Sequence, residues 1–224
     1  MAVSLTNFLD SGCIVASSLA LTAWAAAFNF GSAWTAILGA IGANAFGAAI
    51  GALIGGFLTD KFGRTTIYKY NLLVYAAGVF IAMVAVNLPM VVVGVVLSGL
   101  SVGAGVPASW SYISETSTST KRASNIGISQ FAWSCGPAII FILSLVMSFI
   151  IFESDGTTLL PAGTYGPFDG MLATRLLFLV LFIVALIAWN LQRQLQESAD
   201  WAEKNASATE KQSFGKMMAT ALKN

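Results

Sequence analysis

The sequence predicts an all-α integral membrane protein, a bundle of six transmembrane helices. Three observations carry this. Hydrophobic residues make up 57% of the chain and charged residues 9%, with a mean hydropathy of +0.78, against roughly 25% charged residues in ordinary soluble domains. The charges are also segregated: from Ser11 to Thr59 there is no Asp, Glu, Lys or Arg, and then Asp60, Lys61 and Arg64 arrive together around Gly63. Finally, the apolar runs are long enough to cross a bilayer and are separated by polar turns.

A span needs about 20 apolar residues, so the run from Ser11 to Thr59 holds two. Asn29-Phe30-Gly31-Ser32 is the natural break, which gives a first span at about Val3 to Phe28 and a second at about Trp34 to Leu58. Asp10 then falls inside the membrane. The second span carries small residues four apart, Gly39, Ala43, Gly47, Gly51 and Gly55, all on one helix face. Such faces let helix backbones approach closely in lipid.

The chain is again free of charge from Tyr70 to Ser114, with a break at Asn87-Leu88-Pro89. This places the third span at about Ile67 to Val86 and the fourth at about Met90 to Tyr112, where Gly94, Ser98, Gly99 and Gly103 point to close packing. A polar loop from Glu115 to Arg122 leads into a fifth span ending near Phe152. The stretch from Phe152 to Gly170, with Glu153, Asp155, Asp169 and several Pro and Gly, reads as an acidic external loop. The sixth span runs from about Met171 to Leu191. Residues 1–191 thus form the bundle and 192–224 a soluble, helix-prone tail ending in an amphipathic stretch from Ser213.

Of the eleven Lys and Arg, all but Arg175 lie in the second-to-third loop, the fourth-to-fifth loop or the tail. The positive-inside bias therefore places these segments and both termini in the cytoplasm, in a multi-pass protein of the plasma or inner membrane. On that side the sequon Asn205-Ala206-Ser207 would go unused. Nothing basic precedes the first apolar run, so a cleaved signal peptide is not expected. A net charge of +1 argues against a nucleic-acid partner. There is no His, the commonest metal ligand and neutral-pH proton carrier. Cys13 and Cys135 read as small buried hydrophobes. No enzyme motif, cofactor or metal is expected.

An ionisable residue inside the membrane is expensive and is a functional candidate by default. Asp10 is the foremost, since a carboxylate partly removed from water can take up and release protons; the alternative is a helix-start residue at the interface. Gln130 is a buried amide in lipid that needs a partner, either another helix or a hydroxyl-rich ligand. Trp133 and Asn44 are further candidate substrate contacts. Trp24, Trp34, Trp110 and Trp133 sit near span ends, where aromatics commonly anchor the interface.

The pattern Gly56-x-x-x-Asp60-Lys61-x-Gly63-Arg64 resembles the loop joining the second and third spans of the major facilitator superfamily, with Thr65 where the family has a second cation. Phe8-Leu9-Asp10-Ser11-Gly12 resembles the first-span segment of its sugar porters, whose Asp couples to protons. Tyr112-Ile113-Ser114-Glu115 followed by Arg122 is similar to the porter motif after the fourth span, with Thr118 and Ala123 as departures. Ser129-Gln130-Phe131-Ala132 with Gly136 resembles the porter segment whose Gln binds substrate; a second porter Gln falls at Pro137. Glu197-Ser198 and Trp201 resemble a degraded porter motif, with Gln196, Ala199 and Asp200 departing. The fourth-span Arg that pairs with the Asp in many porters falls at Val95.

The resemblance implies one of the two six-span bundles of such a transporter, the N-terminal one, with substrate bound between bundles near the midplane. It implies proton-coupled transport of a small polar metabolite such as a sugar, polyol or organic acid. It also implies a cytoplasmic gating network of Gly56, Asp60, Gly63, Arg64, Glu115 and Arg122. The second bundle would be a C-terminal half, a separate half-length chain or another copy of this one. A non-transporting assembly or regulatory subunit, and an inactive fragment, are the alternatives from the residues alone.

Overall fold

The computed structural model describes residues 2–41, 46–151, 171–193 and 195. Its helices are α1 (Ala2–Phe28), α2 (Ser32–Ile41), α3 (Phe46–Phe62), α4 (Arg64–Met83), α5 (Leu88–Thr116), α6 (Arg122–Ile151) and α7 (Leu172–Gln192). Six stretches are long and apolar enough to cross a membrane, with Ser32–Phe62, which contains α2 and α3, counting as one. Asn44 and Ala43, the acidic loop at 152–170, and Glu197, Trp201 and the amphipathic C-terminal stretch lie outside the described residues.

The breaks fall where local chemistry requires them. Asn29 ends α1 with φ 49°, a left-handed conformation that Asn tolerates better than most residues. Gly63 separates α3 from α4 with φ 97° and ψ 149°, a region open essentially to glycine alone. Asn87 caps α5 by accepting from the Met90 N–H at 3.0 Å, and Pro89 sits in the first turn, where its missing N–H costs nothing.

Several boundaries differ from the sequence expectation: α3 runs on to Phe62, past Leu58, and α4 stops at Met83, short of Val86. The third span begins at Arg64, not Ile67, because a helix can start directly after the Gly63 turn. The fourth extends to Thr116, so Glu115 stands on the last turn of α5 and not in a loop. Polar side chains extend helices past the membrane surface, where hydropathy no longer marks them.

Glycines set the closest helix crossings. A β-carbon on Gly51 would run into the Leu100 backbone carbonyl, and one on Gly103 into that of Ala48, so α3 and α5 meet backbone to backbone. Gly55 meets Ala104 in the same seam. Gly78 and Gly94 repeat the arrangement between α4 and α5, against Ser98 and Ala82. Of the predicted small-residue stripe, Gly47, Gly51 and Gly55 are buried. Lipid offers little hydrophobic drive for helix association, so close packing of this kind is what holds a bundle together.

The apolar core lies between α1, α4, α5 and α7, around Leu9, Leu72, Val79 and Leu181. Trp24 packs on Phe178 there with ring centroids 5.5 Å apart, so Trp24 is a core residue. Trp34 is exposed and Trp110 half-buried. Large apolar side chains such as Phe46, Leu53, Phe131 and Ile142 point outward, as lipid-facing or bundle-facing surfaces do.

Candidate functional site

The first third of α1 is polar on its inner side. Thr6, Asn7, Asp10 and Ser11 are all buried, because their spacing keeps them within one helical arc that faces the other helices. Each finds a different neighbour. Asn7 Nδ2 donates to Ser129 Oγ on α6 at 2.6 Å. Gln192 Nε2, at the end of α7, donates to Thr6 Oγ1. Ser11 Oγ bonds back to the Asn7 carbonyl at 3.0 Å, and Gly136 of α6 leaves room for it and for the Phe8 carbonyl.

Asp10 is 1% exposed, and its Oδ2 atom has no hydrogen-bond partner. It rests on Gly105 of α5: a β-carbon there would stand 3.1 Å from Asp10 Oδ2 and 3.1 Å from Asn71 Nδ2. Asn71 is held by a reciprocal pair of bonds, its Nδ2 donating to the Ser101 carbonyl at 2.9 Å and Ser101 Oγ donating to the Asn71 carbonyl at 2.8 Å. Tyr75, one turn further along α4, donates to the Leu9 carbonyl at 3.0 Å. The carboxyl group therefore lies between α1, α4 and α5 with a glycine beneath it and an amide beside it.

Val95 packs into the apolar core. A carboxylate at membrane depth is expensive, about 2.5–3.5 kcal/mol on insertion scales.

The other sequence-predicted residues are spread out. Ser129 turns inward and is buried, while Gln130, rotated by one residue around α6, is exposed. Trp133 is half-buried on the same helix. At the end where α3 meets α4, Gly56 is half-buried and Asp60 exposed, beside the Gly63 turn; Arg64 opens α4. Lys61 lies 5.1 Å from the Phe62 ring centroid, within cation–π range. Glu115 is half-buried, and Arg122 is exposed at the first turn of α6.

Sequence reasoning missed Asn71, Gly105, Ser129 and Gln192. Asn71 and Gln192 carried a signal, since an amide within an apolar helix needs a partner. Gly105 carried none, because a lone Gly in a span is usually packing.

The model described as Major Facilitator Superfamily matches residues 3–218. The chain is 38% identical over 205 residues to the minor myo-inositol transporter of Bacillus subtilis (strain 168), covering 92% of this chain and 42% of that protein. It is 24% identical over 164 residues to the arabinose-proton symporter of the same organism, covering 73% of this chain and 32% of that one. Among solved structures, the proton:xylose symporter bound to 6-bromo-6-deoxy-D-glucose superposes with a TM-score of 0.74 at 20% identity, covering 91% of this chain and 45% of that one. The inward-open xylose transporter from E. coli gives a TM-score of 0.69 at 20% identity, with 89% and 48% covered. The chain spans less than half the length of each of these proteins.

Proposed function

The chain belongs to the Major Facilitator Superfamily, and from that premise we propose that it is the N-terminal six-span bundle of a proton-coupled transporter for a small polyol or sugar. The observation that carries the proposal is Asp10: an ionisable group buried among three helices, with an unsatisfied oxygen, in a segment that resembles the one through which sugar porters couple to protons. The substrate class rests on the relatives, of which the inositol transporter matches nearly the whole chain.

In this reading Asp10 exchanges the coupled proton. Gln130 and Trp133, on a helix whose outer face is exposed here, contact substrate together with Asn44. A second bundle covers that face: a C-terminal half, a separate half-length chain or a second copy. Gly56, Asp60, Gly63, Arg64, Glu115 and Arg122 form a gating network at the cytoplasmic end. Both termini are cytoplasmic, residues 1–191 form the bundle and 192–224 the linker, and the host is the plasma or inner membrane.

The test is uptake of labelled myo-inositol, with sugars as competitors, into vesicles containing this bundle together with its second bundle under an imposed pH gradient. Accumulation that follows the gradient and is lost in Asp10→Asn, with exchange of labelled for unlabelled solute retained, supports the proposal. Accumulation unaffected by Asp10→Asn rules out the coupling role. Absence of saturable uptake of any polyol or sugar rules out the substrate class.

A further inference from the structure

Both α3 and α4 lean on α5, and they leave a furrow between them. Gly51 and Gly55 bring α3 onto Leu100 and Ala104, and Gly78 brings α4 onto Ser98 of the same helix. The furrow encloses about 220 Å³. Ile54 and Leu58 of α3 form one wall and Ile67, Tyr70 and Val74 of α4 the other, at spacings of three and four residues that use one face of each helix. Leu100 and Ala104 make the floor. The outer edges are open, with Ile54 47%, Tyr70 65% and Val74 41% exposed.

The lining and the depth of the furrow select what can fill it. Asn71 and Ser101, which also line it, are committed to each other's backbone carbonyls at 2.9 and 2.8 Å, so they do not call for water. The mouth is at the membrane surface, since Leu58 and Ile67 stand five and four residues from the Gly63 turn, where the charge-free run ends. From Leu58 to Gly51 the furrow runs inward for roughly 10 Å at 1.5 Å per residue, which keeps it inside one leaflet of a hydrocarbon core about 30 Å thick. Lys61 marks the mouth. Its Nζ lies 5.1 Å from the Phe62 ring centroid, and Phe62, four residues past Leu58, continues the furrow face of α3. Arg64 opens α4 across the turn and adds a second cation to this end. Asp60 and Gly56, each two residues from a member of that face, fall on the other side of α3.

We propose that the furrow binds an anionic phospholipid of the leaflet on the Gly63 side, with one acyl chain laid between α3 and α4 and the phosphate at Lys61. An apolar furrow open at membrane depth takes hydrocarbon and not water, and a cation at its mouth favours the tail whose headgroup is negative. The volume decides against a helix of a second copy or of a partner. With its side chains a helix is about 10–12 Å across, so a 10 Å length of one needs several times the space that the furrow holds. A single acyl chain fits. Tyr70 on the α4 wall is a residue type that favours the headgroup level, and its exposed ring flanks the same entry.

The test is native mass spectrometry of this chain, released from micelles containing phosphatidylglycerol or phosphatidylcholine with identical acyl chains. The expected result is phosphatidylglycerol held about fivefold more tightly than phosphatidylcholine, as for one basic residue near an anionic lipid surface. Lys61→Gln should abolish that preference. Val74→Trp and Ile54→Trp, which fill the furrow from opposite walls, should each remove the retained lipid. Both positions are exposed, so the variants should keep the parental melting temperature in detergent, and either one suffices for the measurement. Equal retention of the two lipids by the parent overturns the proposal, and so does a preference unchanged in Lys61→Gln. Phosphatidylglycerol retained at the parental level in the folded tryptophan variants overturns it as well. A dimer that forms in the parent and is lost when the furrow is filled would place a second copy there instead.

Discussion

Asp10 Oδ2 and Asn71 Nδ2 crowd the same glycine, each 3.1 Å from where a β-carbon on Gly105 would stand. Side chains from α1 and α4 thus close in on one backbone position of α5.

Gly105→Ala should disturb this contact while leaving the bundle folded. A contact at 3.1 Å forces both polar neighbours to give by a few tenths of an ångström, and modest overpacking costs about 1–3 kcal/mol. The expected outcome is a lowered melting temperature in detergent together with a shifted Asp10 carboxyl band. An unshifted band would show that the glycine is not what fixes the carboxyl group.

The α3–α5 seam should be far less forgiving. Gly51→Leu and Gly103→Leu place side chains inside the opposing backbone, with no flexible atom to move aside, so each should abolish the peak of folded protein in size-exclusion profiles. Gly56→Ala is the contrast: nothing lies within 4 Å of a β-carbon there, and its melting temperature should match the parent. Equal tolerance at Gly51 and Gly56 would refute the seam.

Gly63→Ala tests the turn. With φ 97° and ψ 149°, a β-carbon strains the backbone by about 1–3 kcal/mol. The expected result is reduced thermal stability, with protease cleavage increased at the α3–α4 junction. Cleavage and melting unchanged from the parent would mean that the turn relaxes to a conformation open to other residues.

The bond from Asn7 to Ser129 ties α1 to α6. Hydrogen bonds between membrane helices average about 0.6 kcal/mol in double-mutant cycles, so Asn7→Leu and Ser129→Ala should couple by about that amount in steric-trapping unfolding. Strict additivity would assign the pair no role in holding α6.

Much of the fold was legible because bilayer thickness is a ruler. Charge-free runs gave the spans, and Asn29, Gly63 and Asn87 marked the breaks through their own backbone and capping chemistry. Asp10 was legible for the same reason: a charge in an apolar run is conspicuous. The ends of α4 and α5 were not, since outside the membrane hydropathy stops reporting helix.

The sequence by itself determined that the chain is a six-span membrane bundle, that its second span carries a packing face of small residues and that Asp10 is a conspicuous charge at the edge of a long apolar run. Only the tertiary structure decided what surrounds that carboxyl group. That Asp10 and Asn71 share Gly105, that Ser129 points inward while Gln130 points out, and that Gln192 reaches Thr6 all depend on helix rotation and register. Those are set by the sum of many backbone contacts across the glycine seams. No single residue encodes that sum, so the neighbours of Asp10 could be read only once the helices were packed.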